Sequence, residues 1–196
     1  MKCVMNGQRN KALNYLKSGR PVIFATDTVN GIGCIYDNTE CIEKIFRMKK
    51  RDEDKPLILL FDSMNRVKEY FELNNEEKGL AERYMPGALT IIARIKKPAN
   101  RYIVKDNRTG FRIPDNDTIR ELIRAAGKPI AATSINFSGN NVIKSRDKAA
   151  GLFPGAHIYG ELTEQSVPST IVSIEKGEIN ILRKGKISAE GDKWNQ

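Results

Sequence analysis

Short apolar runs closed by turn residues alternate with helical patterns along the chain, and this alternation constrains the fold more than any other feature. "PVIFAT" (21–26) reads as a buried strand after an amphipathic helix around residues 11–17. "NTECIEKIFRMKKR" (38–51) sets Ile42, Ile45, Phe46 and Met48 on one helical face, with Asn38 or Thr39 as its N-cap. "PLILLF" (56–61) is a second buried strand, helical patterns follow at 64–71 and 75–84, and Pro86-Gly87 turns the chain into "ALTIIARI". "TGFRIPD" (109–115) is a short strand ended by Pro114, and Asp117 caps a helix that Gly127 closes. "KPIAATS", "STIVSIE" and "EINILRKG" supply further strands, the last two as a hairpin-like pair. The expected architecture is α/β: a single domain with a twisted open mixed sheet and flanking helices. It is expected to span residues 1–188, with a C-terminal tail at 189–196.

A chain of 196 residues is long enough for one domain with a sizeable core. No apolar run approaches the ~18–20 residues of a membrane span, and the N-terminus has no apolar stretch of a secretory signal. Three cysteines without C-x-x-C spacing argue against a disulfide framework and a zinc site. A cytoplasmic location, with no membrane partner, is expected. A net charge of +9 implies polyanionic company, a nucleotide or a nucleic acid. The single histidine, His157, argues against a His-dependent triad and reads as structural or surface.

Neither G-x-x-x-x-G-K-[ST] nor G-x-G-x-x-G is present, so phosphates must be bound by side chains and loop amides. Three polar loops are equipped for that: "TDTVNGIG" (26–33), "TSINFSG" (133–139) and "VPSTIV" (167–172). Ligands of open α/β sheets gather outside strand ends, so these loops are expected to converge on one crevice. Arg112 stands inside an apolar strand and needs a partner there, either a ligand carboxylate or phosphate or an internal acid. "KKRDEDKPL" (49–57) clusters Lys49, Lys50, Arg51 and Lys55 where a helix gives way to a turn.

Read in order, "TDTVNGIG", "KKRDEDKPL", "MPGALT", "GFRIPD", "ATSINFSG", "VPSTIV" and "ILRKG" resemble the YrdC/Sua5 family of threonylcarbamoyl-AMP synthases, in its short single-domain form. The resemblance covers about residues 21–185. It implies a YrdC-like sheet with a large basic cavity. It implies condensation of L-threonine, bicarbonate and ATP, with Mg²⁺ accompanying ATP, to threonylcarbamoyl-adenylate and pyrophosphate. The product serves N6-threonylcarbamoyladenosine formation at tRNA position 37, through a downstream threonylcarbamoyl-transferase complex.

The implied catalytic set is Lys49, Arg51, Ser134 and Asn136; these four, with Lys55, Ser138 and Arg183, would bind nucleotide. Thr26, Thr28, Arg112 and Ser169 would surround threonine, and no protein metal ligand is implied. Ala25 and Asn30 depart from the Pro and Tyr usual in the first motif, and Ile135 from Ala in a later one. In extended chain alternate residues share a side, so Lys49 and Arg51 are expected to reach one anion while Lys50 points away. Two other readings stay open: a basic module binding tRNA or double-stranded RNA without catalysis, and a related carbamoyl-adenylate-forming enzyme with another substrate.

Overall fold

The computed structural model describes residues 2–97, 99–135 and 143–187, so the expected tail at 189–196 lies outside the described residues. Helix α1 (Lys2–Lys17) leads into strand β1 (Val22–Phe24), which returns as β2 (Gly31–Ile35). Helix α2 (Thr39–Lys49), β3 (Ile58–Leu60), α3 (Met64–Tyr70), the two-residue β4 (Phe71–Glu72), α4 (Asn75–Tyr84) and β5 (Leu89–Ile95) follow. The remainder runs β6 (Arg108–Arg112), α5 (Asp117–Ala126), β7 (Ile130–Ser134), α6 (Arg146–Leu152), β8 (His157–Tyr159), β9 (Thr170–Glu175) and β10 (Glu178–Arg183).

The strands form one mixed, twisted sheet in the order β10-β9-β5-β6-β3-β7-β2-β1-β8, with β4 on β5. Pairs β1–β8, β3–β6 and β5–β9 are parallel, and the others antiparallel. Because side chains alternate along a strand, the sheet has two differently covered faces. On one, Ile23, Ile32, Leu59, Phe61, Phe111, Ala131 and Val172 pack with residues of α2, α3 and α4, including Ile42, Ile45, Val67 and Leu80. On the other, Val22, Phe24, Leu60, Ile130 and Ala132 meet α1 through Ala12 and Leu16, and α5 through Ile119, Leu122 and Ile123. The α5 residues are fully buried, and each such side chain contributes ~1.5–3 kcal/mol. Helices α1 and α5 cover only part of this second face. The uncovered part becomes the site.

Local signals set the element ends. The Asn38 side chain accepts the Cys41 N–H and caps α2. Asn116, not Asp117, caps α5 by accepting the Ile119 N–H, and Gly127 closes the helix in the left-handed region. Strand β2 corrects the expectation that 26–33 is all loop: its Gly31 and Gly33 read as breakers, yet the sheet requires them. A Cβ on Gly33 would stand 2.6 Å from the Ala131 carbonyl oxygen, and one on Gly31 2.9 Å from the Phe24 ring. Strand β8 and helix α6 have no counterpart in the sequence reading. His157 lies in β8, its ring 4.9 Å from that of Tyr15. Among the described residues no helix is long and apolar enough to cross a membrane.

Candidate active site

Strand register places the floor of the site. Gly31 pairs with Ser134 and Gly33 with Ala132, Ala132 with Ile58, Leu60 with Arg112, and Ile171 with both Thr90 and Arg183. These positions share one face across β2, β7, β3, β6, β5, β9 and β10. A cleft of about 770 Å³ opens over that face, a size suited to a nucleotide-scale ligand. The cleft therefore lies on the sheet, whereas the strand-end rule puts it beyond the strands. The three polar loops do converge on it, through Thr26 and Thr28, Thr133 and Ser134, and Pro168 and Ser169.

Four cations line it, Arg51, Arg112, Lys144 and Arg183, and none of the described lining residues is acidic. Burial, then the repulsion of Arg183, holds the Arg51 guanidinium below its usual pKa, with Asp52 opposing. Arg183 is lowered by burial. An anion between Arg51 and Arg183 would relieve their mutual repulsion. Arg51 is fixed by donating to the carbonyls of Lys55 (2.8 Å) and Pro56 (3.1 Å). Arg183 donates to the Ser169 carbonyl through Nε (3.1 Å) and Nη2 (2.9 Å), and to Ser169 Oγ (3.1 Å).

Arg112, 3% exposed, has an internal acid as partner, one of the two options its position leaves open. Its Nη2 donates to Asp27 Oδ1 (2.5 Å), Nη1 to Thr28 Oγ1 (2.7 Å) and Nε to the Gly87 carbonyl (2.8 Å). An N–H on each terminal nitrogen is left for a ligand. Thr28 Oγ1 in turn lies 3.0 Å from Thr26 Oγ1, so both hydroxyls and the guanidinium form one positioned unit. Asp27 is further tied by the Asp115 N–H (3.0 Å), and its carbonyl by Lys186 Nζ (2.9 Å).

Lys49 behaves differently from its neighbour. It is 2% exposed, does not line the cleft, and its Nζ donates to the Ser134 carbonyl. Burial, then Arg51, pushes its pKa down from 10.5 to about 7. The reason Lys50 diverges from both is also other than expected. Lys49 ends α2, and Lys50 adopts the left-handed conformation (φ 48°, ψ 44°) of a helix C-cap rather than extended chain. Lys55 is exposed and absent from the cleft wall. Asn136 and Ser138 lie outside the described residues.

Asn30 is fully buried and staples two backbone segments. It donates to the carbonyls of Ile143 (3.1 Å) and Thr163 (2.9 Å) and accepts the Thr163 N–H (2.8 Å). Sequence reasoning missed Thr90, Asp27 and Lys144. Thr90 and Asp27 sit inside "MPGALT" and "TDTVNGIG", where an alternating strand position and an adjacent acid were the available signals.

The chain is an open α/β sheet that carries a basic, hydroxyl-lined cleft on one face. The family model described as "Telomere recombination" (Sua5/YciO/YrdC) matches residues 14–185, and the chain belongs to that family. It is 34% identical over 187 residues to a putative threonylcarbamoyl-AMP synthase of Methanocaldococcus jannaschii, covering 92% of this chain and 88% of that one. It is 32% identical over 186 residues to the threonylcarbamoyl-AMP synthase of Bacillus subtilis, covering 92% of this chain and 54% of that one. The crystal structure of P. abyssi Sua5 complexed with L-threonine superposes with a TM-score of 0.84 at 30% identity, over 92% of this chain and 54% of that one. The chain thus spans nearly all of the first relative and about half the length of the other two.

Proposed function

We infer that the protein is an L-threonylcarbamoyladenylate synthase, condensing L-threonine, bicarbonate and ATP. The observation that carries this reading is the cleft wall: Arg51, Arg112 and Arg183 face one space with Thr26, Thr28, Ser134 and Ser169, and no described lining residue is acidic. Threonine and bicarbonate give a carbamate and water. A carbamate oxygen then attacks the α-phosphorus of ATP, a new P–O bond forms, and the bond to pyrophosphate breaks. No protein nucleophile takes part. Both reactants are anions, so the chain's work is to neutralise charge and align the groups.

Arg51 and Arg183, close enough for their charges to repel, suit the triphosphate. Arg112, with Thr26, Thr28 and Ser169, suits the amino-acid carboxylate and hydroxyl. The Lys49 ammonium holds the end of β7 through the Ser134 carbonyl, and a triphosphate alongside would raise its pKa and keep it charged. Mg²⁺ would enter with the nucleotide as MgATP, held chiefly by the phosphates. The adenylate is a mixed anhydride and hence an activated acyl donor for a downstream transferase; we propose adenosine 37 of tRNA as the acceptor and a cytoplasmic place for both.

The test is pyrophosphate release by purified protein with MgATP, bicarbonate and a panel of amino acids. Release that requires both threonine and bicarbonate supports the assignment. Equal release without threonine would overturn it.

A further inference from the structure

Thr90 is fully buried in β5 and does not line the cleft. Its hydroxyl lies 2.8 Å from Ser169 Oγ, its one hydrogen-bond partner among the described residues. A serine hydroxyl has one proton to donate and two lone pairs to accept with. Arg183 Nη2, which can only donate, occupies one lone pair of Ser169 (3.1 Å). The direction of the Thr90–Ser169 bond then decides what Ser169 offers a ligand.

If Ser169 donated to Thr90, the Thr90 proton would be buried without an acceptor, a costly arrangement. Ser169 would also have no proton left for the cleft. If Thr90 donates, both Ser169 lone pairs are engaged by protein donors and its single proton is free. Ser169 lines the cleft, so that proton can be given to an anion. The buried Thr90 proton left without an acceptor rules against the first arrangement.

We propose that Thr90 is a positioning residue that commits Ser169 to act as a donor toward the carboxylate of the amino-acid substrate. The proposal rests on the functional reading above. Thr90 touches no substrate, and its effect passes through Ser169 alone.

The test is calorimetric titration of threonine into wild type, Thr90→Val, Thr90→Ser, Ser169→Ala and the Thr90→Val/Ser169→Ala double variant, with KM and kcat measured in parallel. Thr90→Val keeps the shape and removes the donor. It should weaken threonine binding about fivefold, within the range for one ordinary hydrogen bond between neutral groups, with KM for threonine rising and kcat and KM for ATP little changed. Thr90→Ser should restore wild-type affinity within about twofold. In the Ser169→Ala background Thr90→Val should have no further effect, a non-additivity that a merely structural residue would not show. If Thr90→Val does not fold, Thr90→Ala against Thr90→Ser gives the same comparison.

Unchanged threonine affinity in Thr90→Val, or an equal loss with and without Ser169, overturns the proposal while leaving the functional reading intact. Wild type that binds no threonine overturns both.

Discussion

Replacing Lys49 with methionine should make the protein more stable and less active, and the gain should depend on pH. The Lys49 ammonium is 2% exposed and its pKa falls from 10.5 to about 7. A pKa difference of one is worth ~1.36 kcal/mol, so the charged folded form is disfavoured by roughly 4–5 kcal/mol relative to the unfolded chain. The hydrogen bond from Nζ to the Ser134 carbonyl and the side chain's further contacts are lost in the variant and together give back ~2–4 kcal/mol. The net gain of Lys49→Met at pH 6 is therefore about 1–2 kcal/mol, in line with apolar replacement of buried charges.

The sign with pH follows from linkage. Below about pH 7 both states of the wild type hold the proton, and the burial penalty is complete. Between about 7 and 10.5 the unfolded chain binds more protons than the folded one, so wild-type stability rises with pH relative to the variant. Above that window the penalty is gone. The assay is urea denaturation of both proteins at pH 6, 8 and 10, with the difference in unfolding free energy taken at each pH so that other titrations cancel. A variant less stable than wild type at pH 6, or a gain that does not shrink between pH 6 and pH 10, would refute the reasoning.

Arg112→Ala should weaken threonine binding ~10–150-fold, the loss of a charge-assisted contact, with a smaller effect on ATP in calorimetry. It should also cost ~3 kcal/mol of stability in urea melts, because Asp27 is left without its partner. Arg51→Ala should lower kcat/KM at least about tenfold in pyrophosphate assays, whereas Lys50→Ala should stay within about threefold. Lys50→Gly should raise stability by about 1 kcal/mol, since Lys50 sits at φ 48°, a conformation costly for any residue but glycine.

The periodic elements were legible because hydrophobic spacing and caps speak through local sequence. Helix α4 runs Asn75–Tyr84, as its pattern indicates, and α2 starts after the Asn38 cap. Strand β2 was not legible: "GIGCI" lacks the side chains that mark a strand, because β1 and β7 crowd it on both sides. The candidate site residues could be picked from their chemistry and motif order. Their arrangement on one face of the sheet could not, since it depends on register between strands distant in sequence, such as Thr90 with Ile171. Nor does the sequence say that Lys49 is buried behind the cleft while Arg51 lines it. That distinction depends on α2 ending at Lys49 and on the left-handed turn at Lys50.

The most direct measurement is mass spectrometry of the nucleotide formed from ATP, Mg²⁺, threonine and carbon-13 bicarbonate. The condensation requires an adenylate containing AMP, threonine and the heavy carbon together, formed in step with pyrophosphate. Unlabelled threonyl-adenylate, or AMP and pyrophosphate with no labelled adduct at any time, would contradict it.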